Sequence, residues 1–242
     1  MKKNLIFVLS VLALAACDKH DPILPGVRDP IFDTNNMVML NTDAPVVSGE
    51  FATSGDDACE YKLDSRNTIW ADTRRIFTGF ATDNSVAGQR HVYCQKQHIY
   101  AGLTTGELVK VNPTTRQIKW IADIYRPSNM TGGAAVLDIV APIVFDKNYV
   151  YAGGLGKAFC KISDNTGKTS WCLDLGIEHR FLVNDSVIFV LDTDKNLYAL
   201  RPTDGAVYWH TTVKKTADLE YIDGYIIVDR QKFDAKNGEI AN

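Results

Sequence analysis

The sequence repeats a strand, turn and strand unit at fixed internal offsets. Two landmarks, Tyr100 and Trp120, recur 51 residues later as Tyr151 and Trp171. A further shift of 38 residues leads from Trp171 to Trp209. Because two independent landmarks share one offset, a whole structural unit has been repeated, and not a single motif.

Repeats of about 40 residues that each hold several short strands are typical of a β-propeller, in which one repeat is one blade. We therefore predict an all-β fold, a β-propeller of four-stranded antiparallel blades. The repeats predict four clear blades and a degraded one at the N-terminus, as a partial or reduced propeller over residues 45–242. The landmark tryptophans are expected in the core, because buried aromatic side chains dominate such packing.

Alternating apolar residues between turn residues place the strands within a repeat. In the clearest repeat, the predicted strands A to D are Ile139–Phe145, Tyr149–Gly153, Ala158–Ile162 and Thr169–Leu173. In the degraded blade, Cys59–Leu63 and Thr68–Trp70 are predicted as strands C and D. Pro45–Val47 is predicted to join the last blade as an added strand, which would cover an exposed sheet edge.

Residues 1–16 have the features of a secretory signal peptide. Lys2 and Lys3 precede an apolar segment that ends in small residues just before Cys17, and this segment is shorter than the ~20 residues that span a bilayer. The pattern resembles a bacterial lipobox, which implies cleavage before Cys17 and lipidation of its thiol. An ordinary signal peptide is the alternative. Residues 17–44, which contain several prolines, would then tether the lipid to the folded domain.

The four remaining cysteines suit an oxidising compartment. Cys160 and Cys172 flank one predicted hairpin turn and would form a disulfide if the strand register is symmetric about residue 166. A slip of one residue would turn the two side chains to opposite faces. Cys59 and Cys94 are a second candidate pair. The alternative is that all four are small, buried apolar residues.

The charges and motifs argue against several classes of function. The net charge is −3, from 26 basic and 29 acidic residues with no basic stripe, which argues against nucleic-acid binding. The five histidines have no triad partner by spacing, and Cys94 and His98 have no second pair of ligands to complete a metal site. Gly153–Lys157 lacks the spacing of a phosphate loop. The sequence therefore predicts no catalytic residue, metal or cofactor.

The two repeat offsets differ because of one insertion, Tyr125–Gly133, which connects strand D of one blade to strand A of the next. Since strands alternate in direction, all D-to-A connections lie on the same face as the B-to-C turns. Insertions on one face often mark the binding surface of a repeat protein. Arg126, Asn129 and Met130 are therefore candidate partner-binding residues, because Arg and Met are enriched at interfaces. A longer loop without a partner is the alternative.

Two segments, Ile162–Trp171 and Leu197–Trp209, resemble the repeat of PQQ-type β-propellers. A lipobox followed by such repeats, here over about residues 87–238, is similar to the BamB family of envelope lipoproteins. The resemblance implies a non-catalytic scaffold that binds a BamA-like barrel assembly protein, and it adds Asp138 and Ile139 to the candidate partner-binding residues. The chain departs from the eight blades of that family in its smaller number of repeats.

The same resemblance implies an outer-membrane lipoprotein that faces the periplasm. Asp18, which follows the predicted lipidated residue, resembles the inner-membrane retention signal of enteric bacteria and leaves that membrane as an alternative. The alternative function is that of a periplasmic lipoprotein that binds a small ligand or an envelope polymer.

Overall fold

The structure is a computed structural model that describes residues 44–52, 54, 59–82, 92–124 and 136–241. These residues form 19 β-strands, which build five antiparallel sheets, and they contain no helix. In each sheet, strands that follow one another in the chain are hydrogen-bonded neighbours. This order is the meander expected of a propeller blade.

The first sheet, called the N-terminal sheet, has three strands: β1 (Tyr61–Leu63), β2 (Thr68–Ala71) and β3 (Arg74–Thr78). The other four sheets have four strands each and are called blades 1 to 4. Blade 1 contains β4 (Val92–Gln95), β5 (His98–Gly102), β6 (Glu107–Asn112) and β7 (Gln117–Asp123). Blade 2 contains β8 (Val144–Asp146), β9 (Tyr149–Gly154), β10 (Ala158–Ser163) and β11 (Thr169–Leu173).

Blade 3 contains β12 (Leu182–Val183), β13 (Ile188–Leu191), β14 (Asn196–Leu200) and β15 (Val207–Thr212). Blade 4 contains β16 (Glu220–Ile222), β17 (Tyr225–Val228), β18 (Gln231–Asp234) and β19 (Ile240–Ala241). The prediction of four complete blades and a reduced N-terminal one is confirmed. Within each blade, the four strands are referred to as A to D in chain order.

The predicted strand A of blade 2 was too long. Ile139–Phe145 was expected as a strand, but only Val144–Asp146 pairs in the sheet. Pro142 lacks the N–H that a sheet ladder requires. The backbone at Asp138 and Ile139 bonds instead to turns of blades 1 and 2.

The assignment of the N-terminal sheet was wrong by one strand. Its β2–β3 pair has a register shift at which Ile69 faces Phe77 and Trp70 faces Arg75. The C–D pair of blade 1 has the same shift, at which Lys110 faces Trp120. By this correspondence β1, β2 and β3 are strands B, C and D, and Phe77 occupies the position of the landmark Trp. Arg74–Thr78 supplies the D strand that the sequence interpretation had missed.

Consecutive sheets pack face to face through four hydrophobic clusters of the described residues, each shared by two neighbouring sheets. At three of these interfaces a Trp from strand D lies against a Gly in the C–D turn of the next blade. A Cβ placed on Gly167 would lie 2.6 Å from Trp120, and one on Gly238 would lie 2.5 Å from Trp209. The repeated glycines are therefore required by close packing as well as by turn geometry.

The indole N–H of each of these tryptophans donates a hydrogen bond into the same turn. The acceptors are the carbonyls of Asp164, Pro202 and Ala235, at 2.8, 3.2 and 3.1 Å respectively. Each acceptor lies three residues before the turn Gly. One recurrent anchor thus joins each blade to the next.

The anchor between blades 1 and 2 also contains a buried ion pair. Lys110 Nζ lies 2.8 Å from Asp164 Oδ1, and the Tyr100 hydroxyl donates to the same oxygen at 2.5 Å. Burial opposes ionisation of Asp164, but the hydrogen bonds from Lys110 and Tyr100 outweigh it, and the pKa of this carboxyl is lowered. In the next interface Pro202 replaces Asp164, so Lys161 donates to the Pro202 carbonyl at 2.8 Å.

Residues of the segment before the N-terminal sheet contact three different blades. Phe51 contacts Phe189 of blade 3 and Tyr221 of blade 4, with ring centroids 6.1 and 5.0 Å apart. Ala52 N–H donates to the Val183 carbonyl at 2.7 Å, and Ser54 forms a bridge to Val144 of blade 2. The predicted pairing of Pro45–Val47 as an added strand of blade 4 was wrong, because these residues form no strand.

Two disulfides join cysteines that lie close in the fold. Cys160 and Cys172 face each other across β10 and β11, with their Cα atoms 4.1 Å apart. Cys59 is joined to Cys94, which links the N-terminal sheet to strand A of blade 1, with a Cα separation of 5.8 Å. Cys94 is thereby occupied in a covalent bond and is no metal ligand.

Candidate partner-binding face

The B–C turns and the D–A connections of the described residues lie on one side of the blades, which we call the connection face. Its backbone is held by hydrogen bonds between neighbouring blades. Leu155 N–H in the B–C turn of blade 2 donates to the Asp138 carbonyl at 2.9 Å, and Ile139 N–H donates to the Leu103 carbonyl at 3.4 Å. The D–A connection between blades 1 and 2 is thus hydrogen-bonded to the B–C turns of both blades.

Asp138 and Ile139, two of the predicted partner-binding residues, are only 2% and 7% exposed. A Cβ on Gly102 would lie 2.6 Å from Ile139, and one on Gly154 would lie 2.7 Å from the Asp138 carbonyl oxygen. The two side chains therefore offer almost no surface to a partner. Their contacts within the chain fix the path of the backbone that follows the insertion.

Blade 3 repeats this arrangement. Ile177 N–H donates to the Gly154 carbonyl at 3.0 Å, and a Cβ on Gly153 would lie 2.6 Å from Ile177. Thr193 N–H donates to the Gly176 carbonyl at 2.8 Å. Ile139 and Ile177 thus have the same structural role in consecutive repeats, which gives the connection face a rigid base.

Asn67 organises the first part of the connection face. Its side chain is fully buried and donates to the Phe80 carbonyl at 2.5 Å and to Thr104 Oγ1 at 2.8 Å. Its Oδ1 accepts the Thr104 N–H at 3.0 Å. The Phe80 side chain, in contrast, is 80% exposed. Aromatic residues, Phe among them, are enriched at protein interfaces.

Charged side chains of both signs cover the blade 2 to blade 4 part of the connection face. Lys157 Nζ lies 3.5 Å from Asp194 Oδ2, and Lys215 Nζ lies 3.9 Å from Asp229 Oδ1. These exposed pairs contribute little stability, typically about 0–1 kcal/mol each. They leave this part of the connection face polar and of mixed charge.

The other predicted site residues lie outside the described residues. These are Arg126, Asn129 and Met130 in the insertion, and Cys17 and Asp18 near the N-terminus. Phe80 was missed by the sequence interpretation. The available signal was its place directly after Gly79, at the end of a strand that the interpretation had not assigned.

The described residues show no group of three or more His, Cys, Asp or Glu side chains that could hold a metal ion. Within the same part of the chain, no helix is long and apolar enough to cross a membrane.

Sequence comparison identifies the family. The family model described as outer membrane protein assembly factor BamB matches residues 26–211 and, in a second overlapping match, residues 159–241. The two matches together cover most of the chain. The chain belongs to the BamB family. This family match agrees with the resemblance of Leu197–Trp209 to the PQQ-type repeat.

Individual relatives are distant. The chain is 22% identical over 111 residues to the outer membrane protein assembly factor BamB of Kangiella koreensis, a match that covers 46% of this chain and 29% of that protein. Among solved structures, BamB from Moraxella catarrhalis is 15% identical, with a TM-score of 0.49 over 81% of this chain and 66% of that one. The designed protein Ika8 is 11% identical, with a TM-score of 0.48 over 83% and 60%.

Proposed function

We propose that this chain is a non-catalytic scaffold lipoprotein that binds protein partners and supports the assembly of outer-membrane β-barrel proteins. The family match over residues 26–241 carries this proposal. The match covers only 29% of the length of the Kangiella koreensis protein.

The proposed partner is a BamA-like barrel assembly protein, bound at the connection face. Phe80 would supply an exposed aromatic anchor, and Arg126, Asn129 and Met130 would supply contacts from the insertion. Asp138 and Ile139 would contribute indirectly, because their contacts fix the backbone that follows the insertion. The mixed charge of this face suits a protein interface, in which a few aromatic and Arg anchors carry most of the binding energy.

We also propose that Cys17 carries a lipid anchor and that the protein faces the periplasm from the outer membrane, with the inner membrane as the alternative because of Asp18. The two disulfides are consistent with an oxidising compartment. Substitution of Cys17 by Ser is expected to release the protein from membranes. Continued membrane association of Cys17→Ser would contradict the lipid anchor.

An affinity pull-down from detergent-solubilised membranes tests the partner. The tagged wild-type chain is expected to recover a BamA-like barrel protein. Phe80→Ala and Arg126→Glu are expected to reduce the recovery about tenfold or more, the size of effect that loss of an interface anchor produces. Ile222→Ala, which alters an exposed apolar residue of blade 4 away from this face, is the control and should recover as much as wild type.

The alternative function is binding of a small ligand or an envelope polymer. It is favoured by a cleft of about 450 Å³ between residues 44–47 and the turns of blade 4, lined by Tyr221, Gly224, Ala235 and Lys236. A cleft of this size falls within the range of small-molecule sites. If the pull-down recovers no assembly protein while native mass spectrometry finds a ligand that Lys236→Ala loses, the scaffold proposal fails and the alternative stands.

A further inference from the structure

The interface between blades 2 and 3 retains only part of the buried anchor that joins blades 1 and 2. In that anchor, Asp164 Oδ1 accepts hydrogen bonds from Lys110 at 2.8 Å and from the Tyr100 hydroxyl at 2.5 Å. The repeat offsets of 51 and 38 residues assign the corresponding positions of the next interface to Lys161, Tyr151 and Pro202. The later interface therefore keeps the ammonium and the hydroxyl but replaces the carboxylate that they share by a proline.

The interface between blades 3 and 4 shows that packing does not require these polar groups. Its corresponding residues are Phe189, Ala199 and Ala235, all of them buried. One interface thus has the complete polar set, and another has none of it. A buried ammonium without a counter-ion is costly, so packing alone gives no reason for Lys161 and Tyr151 to be retained.

The two retained side chains are buried, and both can donate to a further acceptor. Tyr151 is fully buried, and its hydroxyl has no hydrogen-bond partner among the residues that the structure describes. Lys161 is 9% exposed and donates to the Pro202 carbonyl at 2.8 Å, while its Nζ lies 4.1 Å from the centre of the Tyr149 ring. An ammonium carries three N–H donors. Within the described part of the chain, no carboxylate forms an ion pair with Lys161.

The geometry of these donors matches that of the complete anchor. Lys161 Nζ lies 5.7 Å from the centre of the Tyr151 ring, and Lys110 Nζ lies 5.2 Å from that of Tyr100. Each lysine also donates to a backbone carbonyl in the C–D turn of the next blade, at 2.8 and 2.9 Å respectively. The Pro202 ring closes on its own backbone nitrogen and brings no acceptor to the two donors. The carboxylate is therefore the part of the anchor in which the two interfaces differ.

The surroundings of Lys161 leave it without a close counter-charge. Burial lowers the pKa of Lys161, although the charge of Asp146 acts in the opposite direction without forming an ion pair. The neighbouring Lys147 is paired with Asp185 at the surface. Tyr149, which lies against Lys161 and is 37% exposed, connects the site to solvent. An anion that enters there would supply the counter-charge that Asp164 supplies one interface earlier.

We propose that the interface between blades 2 and 3 binds a small carboxylate anion, which accepts hydrogen bonds from Lys161 Nζ and the Tyr151 hydroxyl. Acetate has the appropriate size, because its atoms match those of an Asp side chain beyond Cα. The site lies on the other side of the blades from the connection face, since Tyr149 follows the A–B turn and Pro202 belongs to the C–D turn. The anion would join two blades, so its binding stabilises the folded chain.

The indole N–H of Trp171 reports on this site, because it donates to the Pro202 carbonyl at 3.2 Å, the acceptor that Lys161 also uses. The chain has four tryptophans, so few indole signals appear in a proton–nitrogen correlation spectrum of the full chain in detergent. Sodium acetate is added at constant ionic strength, in exchange for the salt of a bulky buffer anion. We expect the Trp171 signal to shift until the site is saturated, while the signal of Trp120, beside the complete anchor, stays constant.

Three variants test the proposed contacts. Pro202→Asp copies Asp164 and supplies a carboxylate from within the chain, so the response to acetate should be lost. Lys161→Met removes the positive charge and should abolish the response as well. Tyr151→Phe copies Phe189 of the next blade and removes one hydrogen bond to the anion, which should weaken acetate binding about tenfold.

Lys157→Met removes an exposed lysine of blade 2 and is the matched control, which should bind acetate as the wild type does. Acetamide, the neutral analogue of acetate, should leave the Trp171 signal unchanged. A Trp171 signal that ignores acetate, or that shifts equally in Lys161→Met or Pro202→Asp, would overturn the proposal. An equal response to acetamide would overturn it too, because the site would then not select an anion. So would an equal shift of Trp120, since acetate would then act as a general salt.

Discussion

Trp120, Trp171 and Trp209 show how one residue position joins successive blades. Each ring lies on the turn Gly of the next blade, and each indole N–H donates to a carbonyl of that turn. The ring contributes apolar contact, and the hydrogen bond fixes its orientation. The position is therefore sensitive to changes on either side of the interface.

Gly167→Ala should destabilise the protein strongly. Gly167 has φ +69°, which costs an L-residue about 1–2 kcal/mol. Its new Cβ would also lie 2.6 Å from Trp120, and overpacking of this kind costs about 1–3 kcal/mol more. Urea unfolding measures the change in free energy.

Gly224→Ala is the matched control for this substitution. Gly224 has φ +86°, but a Cβ there would meet nothing within 4 Å. Gly224→Ala should therefore lower the free energy of unfolding by the conformational cost alone. Equal losses for Gly167→Ala and Gly224→Ala would mean that contact with Trp120 contributes nothing.

Asp164→Ala removes the acceptor shared by Lys110 and Tyr100. Since it leaves a buried ammonium without its counter-ion, we expect a loss of about 3–5 kcal/mol in the free energy of unfolding. The comparison is Asp204→Ala, which removes an exposed pair with Arg201 and should cost no more than about 1 kcal/mol. A small effect of Asp164→Ala in urea unfolding would contradict a stabilising role for the buried pair.

The same carboxyl predicts a pH dependence. The pKa of Asp164 is lowered below its usual 3.8 in the folded state. The unfolded chain therefore takes up this proton at a higher pH than the folded chain does. The stabilisation is present above about pH 4 and is lost as the pH falls through 3.8 toward the folded pKa. Asp164→Asn should flatten the decline in stability between about pH 5 and 3, measured by urea unfolding at each pH.

The sequence predicted that the tryptophans belong to the core, but it did not predict which residues they contact. Recurrence at one offset indicated core positions, and Trp120 and Trp209 are buried. The matching recurrence of Gly167 and Gly205 was visible too, but a glycine in a turn indicates only backbone conformation. That Trp and Gly of different blades meet follows from the stacking of sheets, which no single repeat encodes. The acceptor carbonyls belong to residues as different as Asp164 and Ala235, so the side chains give no signal.

At the scale of elements, the C–D hairpin of blade 2 is closed by a covalent bond between its strands. Loss of the Cys160–Cys172 disulfide in the variant Cys160→Ala with Cys172→Ala should lower the free energy of unfolding by about 2–4 kcal/mol, since the crosslink limits the unfolded chain. Peptide mapping without reductant checks the pairing. Recovery of a peptide that links Cys160 to Cys59 or Cys94 would contradict it.

Two strand predictions failed because tertiary contacts override local pattern. Ile139–Phe145 has the composition of a strand, but the backbone near Ile139 bonds to the turns of two blades. The D strand Arg74–Thr78 begins with two charged residues and follows a turn two residues long, so it lacks the Gly landmark of the other repeats. Its register shift, which identifies Phe77 as the counterpart of Trp120, is visible only in the paired sheet.

At the scale of the whole molecule, residues 44–52 and 54 add contacts to blades that are distant from them in sequence. The sequence indicated an N-terminal contribution near the last blade, and Tyr221 does contact Phe51. It could not indicate that the segment continues to Val183 and Val144. Two isolated bridges leave no alternating pattern, because a segment that crosses strands does not lie within one sheet.

This crossing segment predicts a local effect on blade 4. Phe51 is the aromatic contact between blade 3 and blade 4 on this side, through Phe189 and Tyr221. Phe51→Ala should loosen β16 and β17 before the rest of the fold, because the blades of a repeat protein are stabilised by their neighbours. Hydrogen exchange should accelerate in residues 220–228 and stay near wild type in blade 1. Val46→Ala, in the same segment but 71% exposed, should change neither region. Uniform acceleration in all blades would instead mean that the molecule opens as one cooperative unit, and that the segment stabilises the whole fold and not blade 4 alone.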